Sequence, residues 1–326
     1  MKRNAILGLA ALAIASATFA DARAETAAGG DLEGWAGTWG AAPVFPVGPV
    51  INGQTVRQFV RVSVGGSRVR VRFSNETGTD PLVIGAAHLA VGAAQGAIDP
   101  ATDHALTFGG RPSVTIPPGA PAVSDPVDLT VRALATLAVS VYVPRWTGPT
   151  VVHPDAVQTA YISKLGADAT GETTIPDATT AVTRFFLTGV EVSSPGQPPR
   201  AVVTLGDSIT DGNRSTVDAD RRWPDRLAER LAEQEQAIGV VNEGISGNRV
   251  LHDLPEATFG PSALARFDRD VLGTPGVAYL VVMESINDIG HPTQAGLPEQ
   301  SVSAEDIVAG LKQIATRAHA HGIKVG

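Results

Sequence analysis

The chain has 326 residues, 43% hydrophobic and 18% charged, with no cysteine and a formal net charge of −8. The apolar share excludes general disorder, and the acidic balance argues against a broad nucleic-acid surface. The missing thiols exclude disulfides, thiolate metal sites and cysteine nucleophiles, while length alone predicts two domains, since single cores split beyond about 250–300 residues.

Met1-Lys2-Arg3-Asn4 is a short cationic start, Ala5 to Phe19 an apolar run, and Ala22-Arg23-Ala24 a small-x-small site. That layout predicts a secretory signal peptide over 1–24 and a secreted or periplasmic mature protein. A run of about 15 apolar residues is short for a span of about 20, and no later stretch is long and apolar enough to cross a membrane. Residues 30–193 read as a β-rich accessory domain of sandwich or jelly-roll type. In it, Val56 to Val64 alternates apolar and polar residues, Gly65-Gly66-Ser67 follows, and Arg68 to Phe73 alternates again, which predicts a hairpin with its arginines outward in solvent. Leu137 to Val143 and Phe185 to Val192 are further strands, and Trp35 and Trp39 are expected in core or edge packing.

Ser194 to Pro199 has linker composition, and over 200–326 the period changes. Ala201 to Leu205, Ile238 to Val241 and Val277 to Met283 are short apolar runs typical of buried parallel strands. Trp223, Leu227 and Leu231 mark one helix face, and a second helix starts at the N-cap Ser303. Ile323-Lys324-Val325 begins a fourth strand. Strand–helix alternation predicts a parallel α/β sheet with its site at the carboxyl ends of the strands.

Those ends carry the unusual residues. The first closes in Gly206 to Gly212, the second in Asn242 to Asn248 and the third in Glu284 to Asp288. Ser208 can supply a hydroxyl nucleophile and a backbone N–H, Gly247 an unobstructed N–H, and Asn287 an amide donor, the parts acyl transfer requires. Each alone has an ordinary explanation, because Ser and Asn are favoured in turns and caps. Asp207, Asp211 and Asp288 could suggest a hard cation, yet aspartates at turns commonly accept backbone N–H groups, and no metal is expected.

Leu205-Gly206-Asp207-Ser208-Ile209-Thr210-Asp211-Gly212 resembles the first block of the SGNH/GDSL hydrolases, Gly247 within Ile245-Ser246-Gly247-Asn248 the second, and Asn287-Asp288 the third. The resemblance covers the chain from about Arg200 onward; the β-rich half is similar, more loosely, to the accessory region of two-domain secreted members. It implies a flavodoxin-like three-layer α/β/α domain that cleaves acyl or acetyl esters of small molecules or carbohydrates without a cofactor. Ser208 is then the nucleophile, and its N–H, Gly247 and Asn287 form the oxyanion hole. Asp207, Ser285 and Asp288 are expected beside the substrate.

Two departures from the family pattern stand out. Ser285 occupies the glycine position of the third block, Gly-x-Asn-Asp. The late Asp-x-x-His block, which supplies the base after a fifth strand, has no counterpart among the expected elements. His88, His104 and His153 lie in the β half; His252 and His291 follow the second and third blocks, where either could border the pocket, and neither is read as part of an Asp-x-x-His block; His319 and His321 close the last helix. The expectation is therefore the front part of a longer esterase, with little turnover by itself. The alternative is a non-catalytic, carbohydrate-binding wall or matrix protein with an inactive SGNH domain.

Overall fold

Alternation in the first half translates directly into burial. In the strand Arg68–Ser74, Val69, Val71 and Phe73 are fully buried while the arginines between them are half-buried. The computed structural model describes residues 34–326 except 167, 197–198 and 254–255; the expected signal segment and the middle of the 194–199 linker lie outside the described residues. Arg68–Ser74 belongs to a four-stranded antiparallel sheet with Trp35–Gly40, Leu187–Ser193 and Pro121–Val123. A six-stranded antiparallel sheet includes Gln54–Arg61, Thr136–Val143 and Ala86–Val91. One core joins them, with Val69, Val71 and Val190 packed among Val56, Val60 and Val139.

The hairpin expected across Gly65-Gly66 does not form. Gln54–Arg61 lies in the six-stranded sheet and Arg68–Ser74 in the four-stranded one, so the glycines carry the chain from one sheet to the other. Both stand where backbones nearly touch: a Cβ on Gly65 would lie 2.5 Å from the Val131 carbonyl oxygen, and one on Gly66 2.8 Å from that of Ser193. A period of two fixes which face is buried but does not name the neighbouring strand.

Arg57 also departs from its expected place in solvent. It is fully buried, and its guanidinium donates to Ser140 Oγ and to the carbonyls of Gly96, Ala169, Thr170, Glu172 and Thr173. Trp39 is buried, and Trp35 lies under the Arg70 guanidinium, 4.3 Å from its ring centre.

The second half is a parallel sheet in the spatial order Ile238–Gly244, Arg200–Gly206, Val277–Met283, Lys324–Val325. Ala201, Val203 and Leu205 face a core with Phe267, Ile314 and Ala318, while Val202 faces Ala228 and Val240 on the opposite side. Helix α1 spans Ser208–Asp211, α2 Trp223–Glu233, α3 Ala263–Phe267, α4 Ile286–Gln294 and α5 Ala304–Ala320. α2 covers one face of the sheet, and α3 and α5 cover the other. At the head of α5, Ser303 Oγ accepts from Asp306 N and the Asp306 carboxylate accepts from Ser303 N, the reciprocal cap that begins this helix.

The two halves pack as one compact unit. Gly37 N–H donates to the Pro275 carbonyl at 2.9 Å, Ser63 Oγ accepts from Val240 N at 2.7 Å, and Arg61 pairs with Glu229 at 3.0 Å. Replacing Arg57 with Met is expected to cost about 3 kcal/mol or more, because several buried carbonyls lose their donor at roughly 1–3 kcal/mol each. Urea unfolding of the variant against the wild type measures that loss.

Candidate active site

The central position of Arg200–Gly206 determines where the site forms. Its last residue, Gly206, stands opposite Gly244 on one side and Met283 on the other, so the three loops that follow leave the same sheet edge. Backbone bonds tie them together: Ile245 N–H donates to Gly206 O at 2.9 Å, and Asp207 N–H to Met283 O at 3.3 Å. Asn287 Nδ2 donates to Asn248 O at 2.9 Å. Ser208, Gly247 and Asn287 thus lie on three loops that leave one edge of the sheet.

Asp207 caps α1, its Oδ1 accepting from Ile209 N at 2.9 Å, and Ser208 is the first residue of that turn. Among the described residues, no acceptor takes the N–H of Ser208 or Gly247, and Ser208 Oγ has no hydrogen-bond partner. Two unclaimed N–H groups and a side-chain amide, on the three loops that leave this edge, are donors of the kind that can receive a developing oxyanion. Beside Ser208 opens a depression of ≈ 480 Å³ lined by Ile209, Asn213, Arg214, Arg221 and Trp223.

Gly247 has φ +82°, and a Cβ there would meet the Phe259 ring at 2.2 Å. Phe259 in turn stacks on His291, with ring centres 5.2 Å apart. Ser285 has φ +110°, the left-handed region where a side chain is strained. The glycine that the resemblance puts at this position would adopt this backbone without strain; this chain carries a serine there.

Asp207 and Asp288, expected beside the substrate, hold backbone in this structure. Both are buried, and the Asp288 oxygens accept from Val250 N at 2.7 Å and Leu251 N at 3.1 Å, with Arg249 at 3.7 Å. The three aspartates considered for a cation serve three separate turns. Asp211 accepts from Ser246 N and Ser246 Oγ, each at 2.8 Å, and faces His153 Nε2 at 2.9 Å. His291 does follow Asp288 at the Asp-x-x-His spacing, but the Asp288 carboxylate is turned to the backbone at Val250 and Leu251. The buried His291 Nδ1 has no partner, and burial, reinforced by Arg249, lowers its pKa. Among the described residues no histidine is hydrogen-bonded to Ser208.

Several working groups leave no local mark in the sequence. Arg266 is buried and donates to Gly206 O, Glu243 O and Asn248 Oδ1 while pairing with Asp270 at 2.9 Å. Glu284 has both carboxyl oxygens buried without a partner, and burial, with Asp207 and Asp288 adding to it, pushes its pKa well above the usual carboxylate range. His153 Nδ1 faces the Ala42 carbonyl at 2.9 Å, so both ring nitrogens face acceptors, an arrangement that favours the doubly protonated ring. Burial works against this charge, but the Asp211 carboxylate, its hydrogen bond and the Ala42 carbonyl outweigh it and raise the pKa.

Residues 204–326 match the GDSL-like Lipase/Acylhydrolase family. Over this segment, which contains Ser208, Gly247 and Asn287, the chain is similar to that family. No curated protein matches the chain. Similar solved structures include an acetyl xylan esterase, AlAXEase (21% identity, covering 38% of this chain and 55% of that one, TM-score 0.29). Another is an SGNH-hydrolase family esterase, AlinE4 (20% identity, 40% and 59%, TM-score 0.29). A third is a variant acetyl xylan esterase from Geobacillus stearothermophilus (24% identity, 39% and 57%, TM-score 0.30). The chain spans 55–59% of the length of these structures.

Ser285→Gly is expected to stabilise the protein by about 1 kcal/mol, the relief of left-handed strain less the entropy of a more flexible unfolded chain, as read by chemical denaturation. A second outcome concerns pH. Because the folded pKa of His153 is raised above 6.5, its pairing stabilises fully at and below that pH and is lost as pH rises through the folded value. The stability gap between wild type and His153→Gln should therefore shrink toward alkaline pH in urea titrations.

Proposed function

We propose that this protein is a secreted or periplasmic serine hydrolase of carboxylic esters, taking an acyl or acetyl ester of a small molecule or carbohydrate. The observation that carries this reading is the pair of unclaimed N–H groups, Ser208 and Gly247, at the sheet edge that also holds the Ser208 hydroxyl and the Asn287 amide. Ser208 Oγ attacks the carbonyl carbon, and the oxygen that gains charge is received by the three donors. Collapse expels the alcohol, which takes up a proton, and leaves an acyl-serine that water hydrolyses to the free acid and the original hydroxyl. The residues 1–24, with their cationic start, apolar run and small-x-small end, support export.

The proton leaving Ser208 needs an acceptor, and without a histidine on this hydroxyl the chain is expected to turn over slowly. That same observation favours a second reading, a non-catalytic carbohydrate-binding wall or matrix protein that keeps the SGNH framework. Hydrolysis of p-nitrophenyl acetate separates the two. A wild-type rate above the blank that falls to the blank in Ser208→Ala supports the esterase. Equal rates in both proteins, with no capture of a fluorophosphonate and with saturable glycan binding, support the second reading.

A further inference from the structure

We propose that His153, a residue of the β half, is a positioning residue for the oxyanion loop of the hydrolase half, acting through Asp211. The inference rests on the esterase reading for its catalytic consequence and on geometry alone for its structural one. Asp211 is the last residue of the turn that starts at Ser208, and its N–H donates to Asp207 O at 2.9 Å. One carboxylate oxygen takes His153 Nε2 at 2.9 Å; the other takes both the N–H and the hydroxyl of Ser246, each at 2.8 Å. Ser246 immediately precedes Gly247. A single carboxylate thus fixes the distance between the turn carrying the nucleophile and the loop carrying an oxyanion donor.

The backbone around this carboxylate has no slack. A Cβ on Gly244 would lie 2.3 Å from Asp211 N, and Asn242 Nδ2 holds Thr210 O at 2.8 Å. The side chain, by contrast, can rotate unless both oxygens are held. His153 supplies the hold on the oxygen that Ser246 does not reach, and it is itself held by the Ala42 carbonyl and by the pairing of Val152–His153 with Arg184–Phe185. Both groups are nearly free of solvent, with side-chain exposures of 5% for His153 and 2% for Asp211, so water does not replace either partner. Removing His153 leaves a buried carboxylate with one oxygen short of its hydrogen bond; Arg222 still answers its charge but does not replace that bond. Its relief is to turn, and turning takes Ser246 and Gly247 with it.

The test uses the full chain with His153→Gln, Ser246→Ala, their double variant, and Arg61→Gln as a break in the contact between halves elsewhere. Two quantities are read: hydrogen exchange of the Ser246 amide, and kcat and KM for p-nitrophenyl acetate. His153→Gln is expected to speed Ser246 exchange roughly tenfold while amides of Thr136–Val143 keep their rates, and to lower kcat roughly tenfold at an unchanged KM. Arg61→Gln should do neither, and the double variant should lose no more kcat than the worse single one. Unchanged Ser246 exchange in His153→Gln, or kcat losses that multiply in the double variant, overturns the proposal. Asp211→Asn, which keeps the side-chain shape, serves if His153→Gln does not fold; wild-type Ser246 exchange in it is equally fatal. Equal hydrolysis by wild type and Ser208→Ala overturns the esterase reading alone, and the Ser246 exchange then decides whether His153 fixes the loop.

Discussion

The carboxyl end of a parallel sheet leaves carbonyl groups without strand partners, and here one buried guanidinium answers them. Arg266 gathers Gly206 O from the central strand, Glu243 O from its neighbour and the Asn248 side chain from the loop beyond. The fork of a guanidinium reaches three acceptors in fixed directions, which a lysine ammonium on a flexible stem does not. Its charge is answered by Asp270, whose carboxyl, despite burial, is held below its usual range by Arg269 and Arg266. Arg269 extends the same cluster to the β half through the Pro43 carbonyl. The edge on which Ser208 stands is therefore set by a cation more than by the serine's own surroundings.

Around that anchor the site is made chiefly of backbone. Ser208 and Gly247 offer N–H groups, and the acidic side chains in the motif blocks serve to shape the turns that aim them. Asp207 caps one turn, Asp288 holds the 250–251 backbone, and Asp211 spans between the first two blocks. This explains why small departures matter at particular positions. Phe259 leaves Gly247 no room for a side chain, whereas Ser285 finds space for one and bears the strain in its backbone.

The sequence was legible where the cause of structure is local. The apolar runs at Ala201 to Leu205 and Val277 to Met283, and the cap at Ser303, each state their element within a few residues. The motif blocks were legible because their order along the chain matches the order of strand ends. Contacts between distant segments were not legible. Nothing near Arg266 announces Gly206, and nothing near His153 announces Asp211. The turn signal at Gly65-Gly66 misled because glycine answers two needs, a tight reversal and a close approach, and only tertiary packing separates them. Asp288 and His291 show the converse, a spacing that satisfies a motif while the carboxylate points elsewhere.

The strand Trp35–Gly40 pairs with Leu187–Ser193 and also reaches Pro275 through Gly37, so an early segment finds its partners only after most of the chain exists. A topology dominated by such distant pairings folds slowly, because loop-closure entropy is spent before contacts compensate it. During synthesis the edges of both antiparallel sheets remain open for that interval, a period in which chains can associate through them. The contact of His153 with Asp211 spans only 58 residues and needs no chain beyond Asp211, whereas the bond from Gly37 to Pro275 waits for most of the chain. The turn that carries Ser208 therefore has its anchor on the β half available before the last strands of the parallel sheet exist.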